Sequence, residues 1–360
     1  MDGDGLLNIG MILIWLSFVL GSGAAVYAVR DQFGNSARTE RISKKLEFGC
    51  AVTTTLSIVL LIYYMYTVAA SFQYVYLHSS TDLSVYYRVS ALWAGQEGSL
   101  LLWTWAVLMM LLLMQYTGHT RYYSDSRLMG ITRTISLMIA AVFLMLLVLK
   151  NPFSMYHILT GGMGELTNWN PFAIAYPIID GLGMNPLLRN PWMAVHPPVL
   201  FLGYAAFTIP FAAALTDLLI DDDRWIQIAR DWMRIAWFFL TLGIGLGGFW
   251  AYEVLGWGAW YWTWDPVETS SLIPWITATA YLHAQTRSEK DEYRFLAPML
   301  AIVSFILVIF ATFVTRSGMW VSVHSWQDFT SEGMLIALFL LVLVGSSTVL
   351  LTRRYFGDDR

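Results

Sequence analysis

A helix must bring about 20 mainly apolar residues to cross a hydrocarbon core roughly 30 Å thick. This 360-residue chain does so nine times, over approximately 6–29, 47–70, 92–116, 130–150, 195–219, 232–250, 268–286, 296–315 and 332–352. Charged residues make up only 13% of the chain and hydrophobic ones 57%, a balance that no soluble domain of this size needs. In lipid every backbone N–H and C=O must be bonded within the structure, and helices do that segment by segment. The expected fold class is therefore an all-α polytopic membrane protein of about nine transmembrane helices. Its expected regions are a four-helix transmembrane part at 1–150, a loop at 151–194, a core at 195–331 with a tryptophan-rich segment at 247–275, and a last helix with its tail at 332–360.

Basic residues set the orientation, because cytoplasmic loops carry an excess of Lys and Arg. Arg30, Arg38, Arg41, Lys44 and Lys45 follow the first span, and further groups fall around 121–133, 224–234, 287–294 and 353–360. Together they hold 17 of the 21 Lys and Arg, leaving Arg88, Lys150, Arg189 and Arg316 for the other face. The N-terminus is expected outside and the C-terminus inside. The first span opens with the acidic MDGDG rather than a basic region, and reads as a retained helix rather than a cleaved leader. The expected location is the cytoplasmic (inner) membrane, multi-pass in the lipid bilayer, with the active face extracytoplasmic.

Net charge is −4, and nothing in its distribution suggests a nucleic-acid surface. Cys50 is the only cysteine, so the chain has neither a disulfide of its own nor a thiol pair to run dithiol exchange or carry a haem by two thioethers. Gly243, Gly245 and Gly248 match G-x-G-x-x-G but sit in a membrane span with no strand before them, so close helix packing accounts for them better than a nucleotide.

The outer face carries the most informative stretch, GGFWAYEVLGWGAWYWTWDPVETSSLIPW from Gly247 to Trp275. Trp250, Trp257, Trp260, Trp262, Trp264 and Trp275 are more rings than interfacial anchoring requires, and they are read as a flat apolar platform for a large planar partner. Asp265, Pro266 and Glu268 fit the start of the following helix: Asp265 at the N-cap, Pro266 at the first position, Glu268 closing a capping box. On separate outer loops, His196 in AVHPPVLFLGY and His324 in TRSGMWVSVHSW bracket the platform. Two imidazoles and an apolar surface are what an iron porphyrin needs. Pro197 and Pro198 are expected to open the fifth span, which puts His196 at its mouth.

The other histidines read differently. A solitary interfacial histidine is ordinarily a hydrated polar residue, and that reading suits His78, His119 and His157. His283 falls about 22 Å along its helix from Glu268, at 1.5 Å per residue, in the inner half of the membrane, where an ionisable group is a functional candidate. Glu97, in WAGQEGSLLLW, reads equally as a surface carboxylate or as the polar wall of an outer cavity. Asp265 and Arg316 either bind the propionates of a porphyrin or shape their loops.

WAGQEGSLLLW, NPLLRNPWMAVHPPVLFLGY, the tryptophan-rich segment and TRSGMWVSVHSW, in this order and at these separations, together resemble the CcmF family. These are haem lyase subunits of system I cytochrome c maturation, within the haem-handling proteins that carry a WWD domain. The resemblance runs from about residue 85 to 330. It implies that His196 and His324 ligate a substrate haem b over Trp257, Trp260, Trp262 and Trp264, and that His283 is one ligand of a second haem b within the membrane. It also implies a periplasmic haem chaperone, an apocytochrome c with a CxxCH segment and companion lyase subunits as partners. The family's second membrane histidine falls in a C-terminal region beyond this sequence, so either a companion polypeptide supplies that ligand or the inner haem is absent. The residues leave two other classes open: a haem transporter or chaperone loader that forms no bond, and a quinol-oxidising membrane cytochrome.

Overall fold

The computed structural model describes residues 8–34, 37–116, 126–159, 162–165, 178–254, 262–287, 294–322 and 331–356. Two compact units divide the chain: 1–108 with 140–198, and 109–139 with 199–360. Helices carry almost all of the described structure: α1 (Ile9–Gly34), α2 (Ala37–Thr67), α3 (Gln73–His78), α4 (Val85–Ser90), α5 (Gln96–Tyr116), α6 (Arg127–Leu149), α7 (Pro191–Ala206), α8 (Thr208–Ile220), α9 (Trp225–Val254), α10 (Pro266–Ala284), α11 (Leu296–Arg316) and α12 (Ser331–Phe356). The exception is a two-stranded antiparallel hairpin, β1 (Tyr156–Leu159) with β2 (Gly162–Glu165), paired from Tyr156↔Glu165 to Leu159↔Gly162.

Eight helices among the described residues are long and apolar enough to cross a membrane, α7 and α8 counting as one span over Pro191–Ile220. The ninth expected span corresponds to α10. Its 19 residues give about 28 Å of helix, close to the hydrocarbon thickness, but its serines, threonines and histidine make it less apolar than the rest. α10 packs against both α9 and α11. There its hydroxyls meet partners: the Ser304 hydroxyl of α11 donates to Thr277 Oγ1 at 3.0 Å.

In the first unit α1 and α2 run antiparallel through small residues, as membrane helices do when dispersion and hydrogen bonds rather than water drive their contact. Ser17 donates to Thr53 Oγ1 at 2.8 Å, Ser43 donates to the Ala24 carbonyl at 2.7 Å, and the fully buried Cys50 thiol lies 3.3 Å from the Ser17 carbonyl. Beyond their ends, α3, α4 and the 178–190 segment form a small cap. Arg88 stitches it by donating to the carbonyls of Leu83, Tyr66 and Thr81, and Asp180 accepts from both the amide and the hydroxyl of Thr81.

In the second unit α8 is buried on every side from Thr208 to Leu218, the signature of a central helix, and α9, α11 and α12 pack around it. Gly203 and Gly243 let α7 and α9 approach closely. A Cβ on Gly203 would come within 2.7 Å of the Leu240 backbone nitrogen, and one on Gly243 within 2.7 Å of the Leu200 Cα. The glycine triplet read from the sequence as a packing device is used that way at Gly243. Below this contact, Arg354 of α12 pairs with Asp221, the residue that ends α8 in a left-handed conformation at φ 57°.

Candidate functional site

α7 begins six residues earlier than the proline pair suggested. Asn190 accepts the Trp192 amide at 2.9 Å, and Pro191 follows at the first helical position, where its missing N–H costs nothing. Pro197 and Pro198 therefore lie inside the helix. An internal proline removes one i→i−4 bond and destabilises a helix by about 3 kcal/mol. For Pro197 the orphaned acceptor is the Met193 carbonyl, and the Trp93 indole N–H donates to that same oxygen at 3.1 Å. The first residue of WAGQEGS thus repairs the helix at the turn that carries His196.

His196 is half-buried, with its Nδ1 2.8 Å from the Trp192 carbonyl. A carbonyl only accepts, so Nδ1 carries the proton and Nε2 carries the lone pair. A ligand histidine commonly shows this arrangement, its second nitrogen held by a backbone oxygen.

In the second unit the tryptophan-rich segment leads into α10 through a complete capping box. Asp265 accepts the Val267 amide at 2.9 Å, and Glu268 reaches back to the amides of Thr263 and Asp265 and to the Thr263 hydroxyl. The Ser322 hydroxyl also donates to Asp265 at 2.7 Å, tying the segment after α11 to the helix start. Within this frame Trp264 takes φ 62° and leaves 69% of its surface exposed. A non-glycine residue in the left-handed region costs of order 1–3 kcal/mol and persists only where its surroundings impose it. Trp262 packs edge to face against it, with centroids 6.4 Å apart, and its buried indole N–H has no partner among the described residues. Arg316 is buried, 7% exposed, in the last turn of α11.

Two of the six tryptophans do not belong to any displayed surface. Trp250 is 4% exposed. Trp275 stacks on Trp237 at 5.9 Å, and the two form a reciprocal lock across antiparallel helices: Trp275 donates to Thr241 at 2.7 Å and Trp237 donates to Thr279 at 2.8 Å. The reading of one continuous platform fails for these two because Trp250 is buried and Trp275 is turned into the α9–α10 contact.

His283 lies near the far end of α10 from Asp265, exposed on a stripe with Ile276 and Ala280. Its Nδ1 is 2.8 Å from the Thr279 carbonyl, which fixes the same tautomer as at His196. His324, Trp257, Trp260 and His119 lie outside the described residues. His157 pairs with Gly164 through the hairpin backbone. The sequence reading missed the part played by Trp93. The HPP triplet signals orphaned carbonyls, but only the fold says which side chain reaches them.

A polytopic membrane protein with a histidine on a proline-rich helix start and an exposed tryptophan before a capped helix matches a known class. Residues 93–320 match the family of cytochrome c assembly proteins. The chain is 33% identical over 349 residues to the cytochrome c-type biogenesis protein CcmF of Haemophilus influenzae, covering 95% of this chain and 50% of that protein. It is 37% identical over 286 residues to CcmF of Escherichia coli K12, covering 78% and 41%. Among solved structures, a cytochrome c haem lyase CcmF superposes with a TM-score of 0.74 at 26% identity, over 99% of this chain and 52% of the other. This chain therefore belongs to the cytochrome c assembly family, in its CcmF branch, and spans about half the length of the curated relatives it matches.

Proposed function

We propose that this chain is a haem lyase subunit of cytochrome c maturation that presents haem on the extracytoplasmic face of the inner membrane for thioether attachment to a CxxCH apocytochrome c. The observation that carries the reading is the likeness, along essentially the whole chain, to a cytochrome c haem lyase CcmF. Its site residues suit the task. His196 has its Nδ1 proton committed to Trp192 and its Nε2 lone pair set for iron, with His324 as the second axial ligand. Trp264, exposed at the expense of backbone strain, offers the ring an apolar face with Trp257, Trp260 and Trp262. Arg316 and Asp265 close the site, Arg316 toward propionates and Asp265 by holding the tryptophan segment on α10.

The substrate haem brings the vinyl groups, and the client's thiols add across them. This chain contributes orientation, which in favourable cases removes about 7–11 kcal/mol of barrier; its buried Cys50 takes no part. A haem chaperone is the proposed donor. His283, exposed on a stripe of α10, is suited to hold a second haem whose other ligand a companion polypeptide would provide, and that group would supply one-electron transfer to keep the outer iron ferrous.

The test is co-expression with an apocytochrome c and the companion subunits, followed by haem staining of the denatured client. Covalent haem that depends on His196 and His324 is expected. Haem held by this chain but never joined to the client would instead identify a loader, and quinol oxidation without either would identify an electron-transfer cytochrome.

A further inference from the structure

Behind the WAGQEGS turn the first unit contains a cavity of about 40 Å³ that the haem-handling reading does not use. Its polar lining comes from Gln73 and Tyr74 of α3, Glu97 in the first turn of α5, and Lys150, Asn151 and Ser154 beyond α6. A water needs about 10–15 Å³, so the space has room for about three. The wall beyond α6 is a tight, fully bonded turn. The Asn151 carbonyl accepts both the amide and the hydroxyl of Ser154, at 3.1 and 2.8 Å, and the Ser154 carbonyl accepts the Gln73 amide of α3 at 2.8 Å.

One side-chain group in this wall is left over. Asn151 is 2% exposed, and its Oδ1 accepts the Phe153 amide at 3.0 Å. That bond fixes the orientation of the side chain, because turning the amide over would set its NH2 against another N–H. Nδ2 is therefore a committed donor, buried and with no partner among the described residues. Buried polar groups that lack a protein partner are ordinarily met by ordered water. Tyr74 is engaged elsewhere: its hydroxyl donates to the Leu92 carbonyl at 2.9 Å and accepts the Gly95 amide at 2.9 Å, and its carbonyl takes the Nδ1 proton of His78 at 2.8 Å.

The lining also says what kind of molecule fits. Asn151 Nδ2 and the Lys150 ammonium donate, the Glu97 carboxylate accepts, and the Gln73 amide does either. A cation would meet the donors and an anion would meet the carboxylate, whereas water both donates and accepts. We propose that this cavity is a hydration site whose ordered water accepts from Asn151 Nδ2 and donates to Glu97. The water joins the end of α6 to the first turn of α5, directly after the segment that carries Trp93. Glu97 is then a cavity wall rather than a surface carboxylate, and the site stands apart from the haem ligands.

The test is water-to-amide cross-relaxation by NMR on the full chain in lipid nanodiscs, deuterated and labelled with 15N-asparagine. The Asn151 NH2 signal is assigned by its loss in Asn151→Asp, which keeps an acceptor for the Phe153 amide. A dipolar cross-peak between water and the Asn151 NH2 protons is expected. It should persist in Ser154→Ala and Lys150→Met, which remove exchangeable protons able to relay the signal, and fall at least twofold in Gln73→Leu, which turns one polar wall into hydrocarbon. No cross-peak in the wild type, its loss in Ser154→Ala or Lys150→Met with the NH2 signal retained, or an unchanged peak in Gln73→Leu each overturns the proposal. If a variant does not fold, a density map of the wild-type chain that resolves ordered solvent decides: an oxygen at hydrogen-bonding distance from Nδ2 supports the site, and a dry cavity or a direct bond from Nδ2 to Glu97 overturns it.

Discussion

Trp237 and Trp275 differ from Trp262 and Trp264 in what the fold does with the indole. The first pair stands on regular helix, half-buried, with each N–H given to a threonine on the facing helix. The second pair stands on irregular backbone, with one ring largely exposed at a positive φ and the other N–H buried without a described partner. In the interior the indole serves as a polar hook on an apolar body and closes a helix contact. Before α10 the same side chain makes no described hydrogen bond at Trp262 and is largely exposed at Trp264. A run of tryptophans is thus two populations, and the unsatisfied, strained one is the one proposed to take the haem. Trp93 belongs with the hooks, yet its acceptor is the carbonyl exposed by Pro197, which places a structural tryptophan directly behind a proposed ligand.

The largest effect is expected at His196. With haem measured by pyridine haemochrome on purified protein, His196→Ala should lower outer-site occupancy by more than about 100-fold, beyond the 10–100-fold that loss of a ligand's hydrogen-bond partner typically causes. Retained occupancy would move the site away from α7. Trp93→Phe comes next: it strands the Met193 carbonyl and should destabilise the start of α7 by about 1–3 kcal/mol. Protection from hydrogen exchange across 191–200 and haem content should fall together; loss of protection with full haem binding would separate α7 order from His196 function. Trp264→Gly breaks the comparison from the other side. Glycine accepts φ 62° without strain, so thermal stability should rise by about 1 kcal/mol while haem binding falls; a variant that binds haem normally would show that the displayed ring has no such role.

Smaller effects are expected among the hooks. A double-mutant cycle of Trp275→Phe and Thr241→Val should give a coupling of about 0.6 kcal/mol, the common size of interhelical hydrogen bonds in membranes, with outer haem unchanged. The smallest concerns pH. His78 is held below its ordinary value of 6.5, chiefly by burial, so the folded state favours the neutral ring. Its contribution to stability is complete above that value and is lost as the pH falls below it. Protection of residues 73–98, measured against the intrinsic exchange rate at each pH, should therefore fall from pH 7.5 to 5.5 in the wild type and less so in His78→Gln.

Much of this protein was legible in one dimension. Apolar runs of bilayer length fixed the all-α membrane class, because hydrocarbon tolerates no unpaired backbone and length alone sets a crossing. Asp265, Pro266 and Glu268 announced the α10 capping box, since a cap depends on neighbours three residues apart. The resemblance to CcmF was likewise carried by contiguous motifs in order. Tertiary structure decided what depends on distant partners. It moved the start of α7 back to Pro191, because the lost bond of Pro197 is made good by Trp93, one hundred residues away. It took Trp250 and Trp275 out of the platform, because the fold buries Trp250 and turns the Trp275 ring onto Trp237 of α9. It gave two α10 hydroxyls their cross-helix donors, Ser304 of α11 to Thr277 and Trp237 of α9 to Thr279, which no local pattern announces. And it turned Glu97 from an undecided carboxylate into the wall of a polar cavity, because only the packing of α3 and the end of α6 against α5 encloses that space.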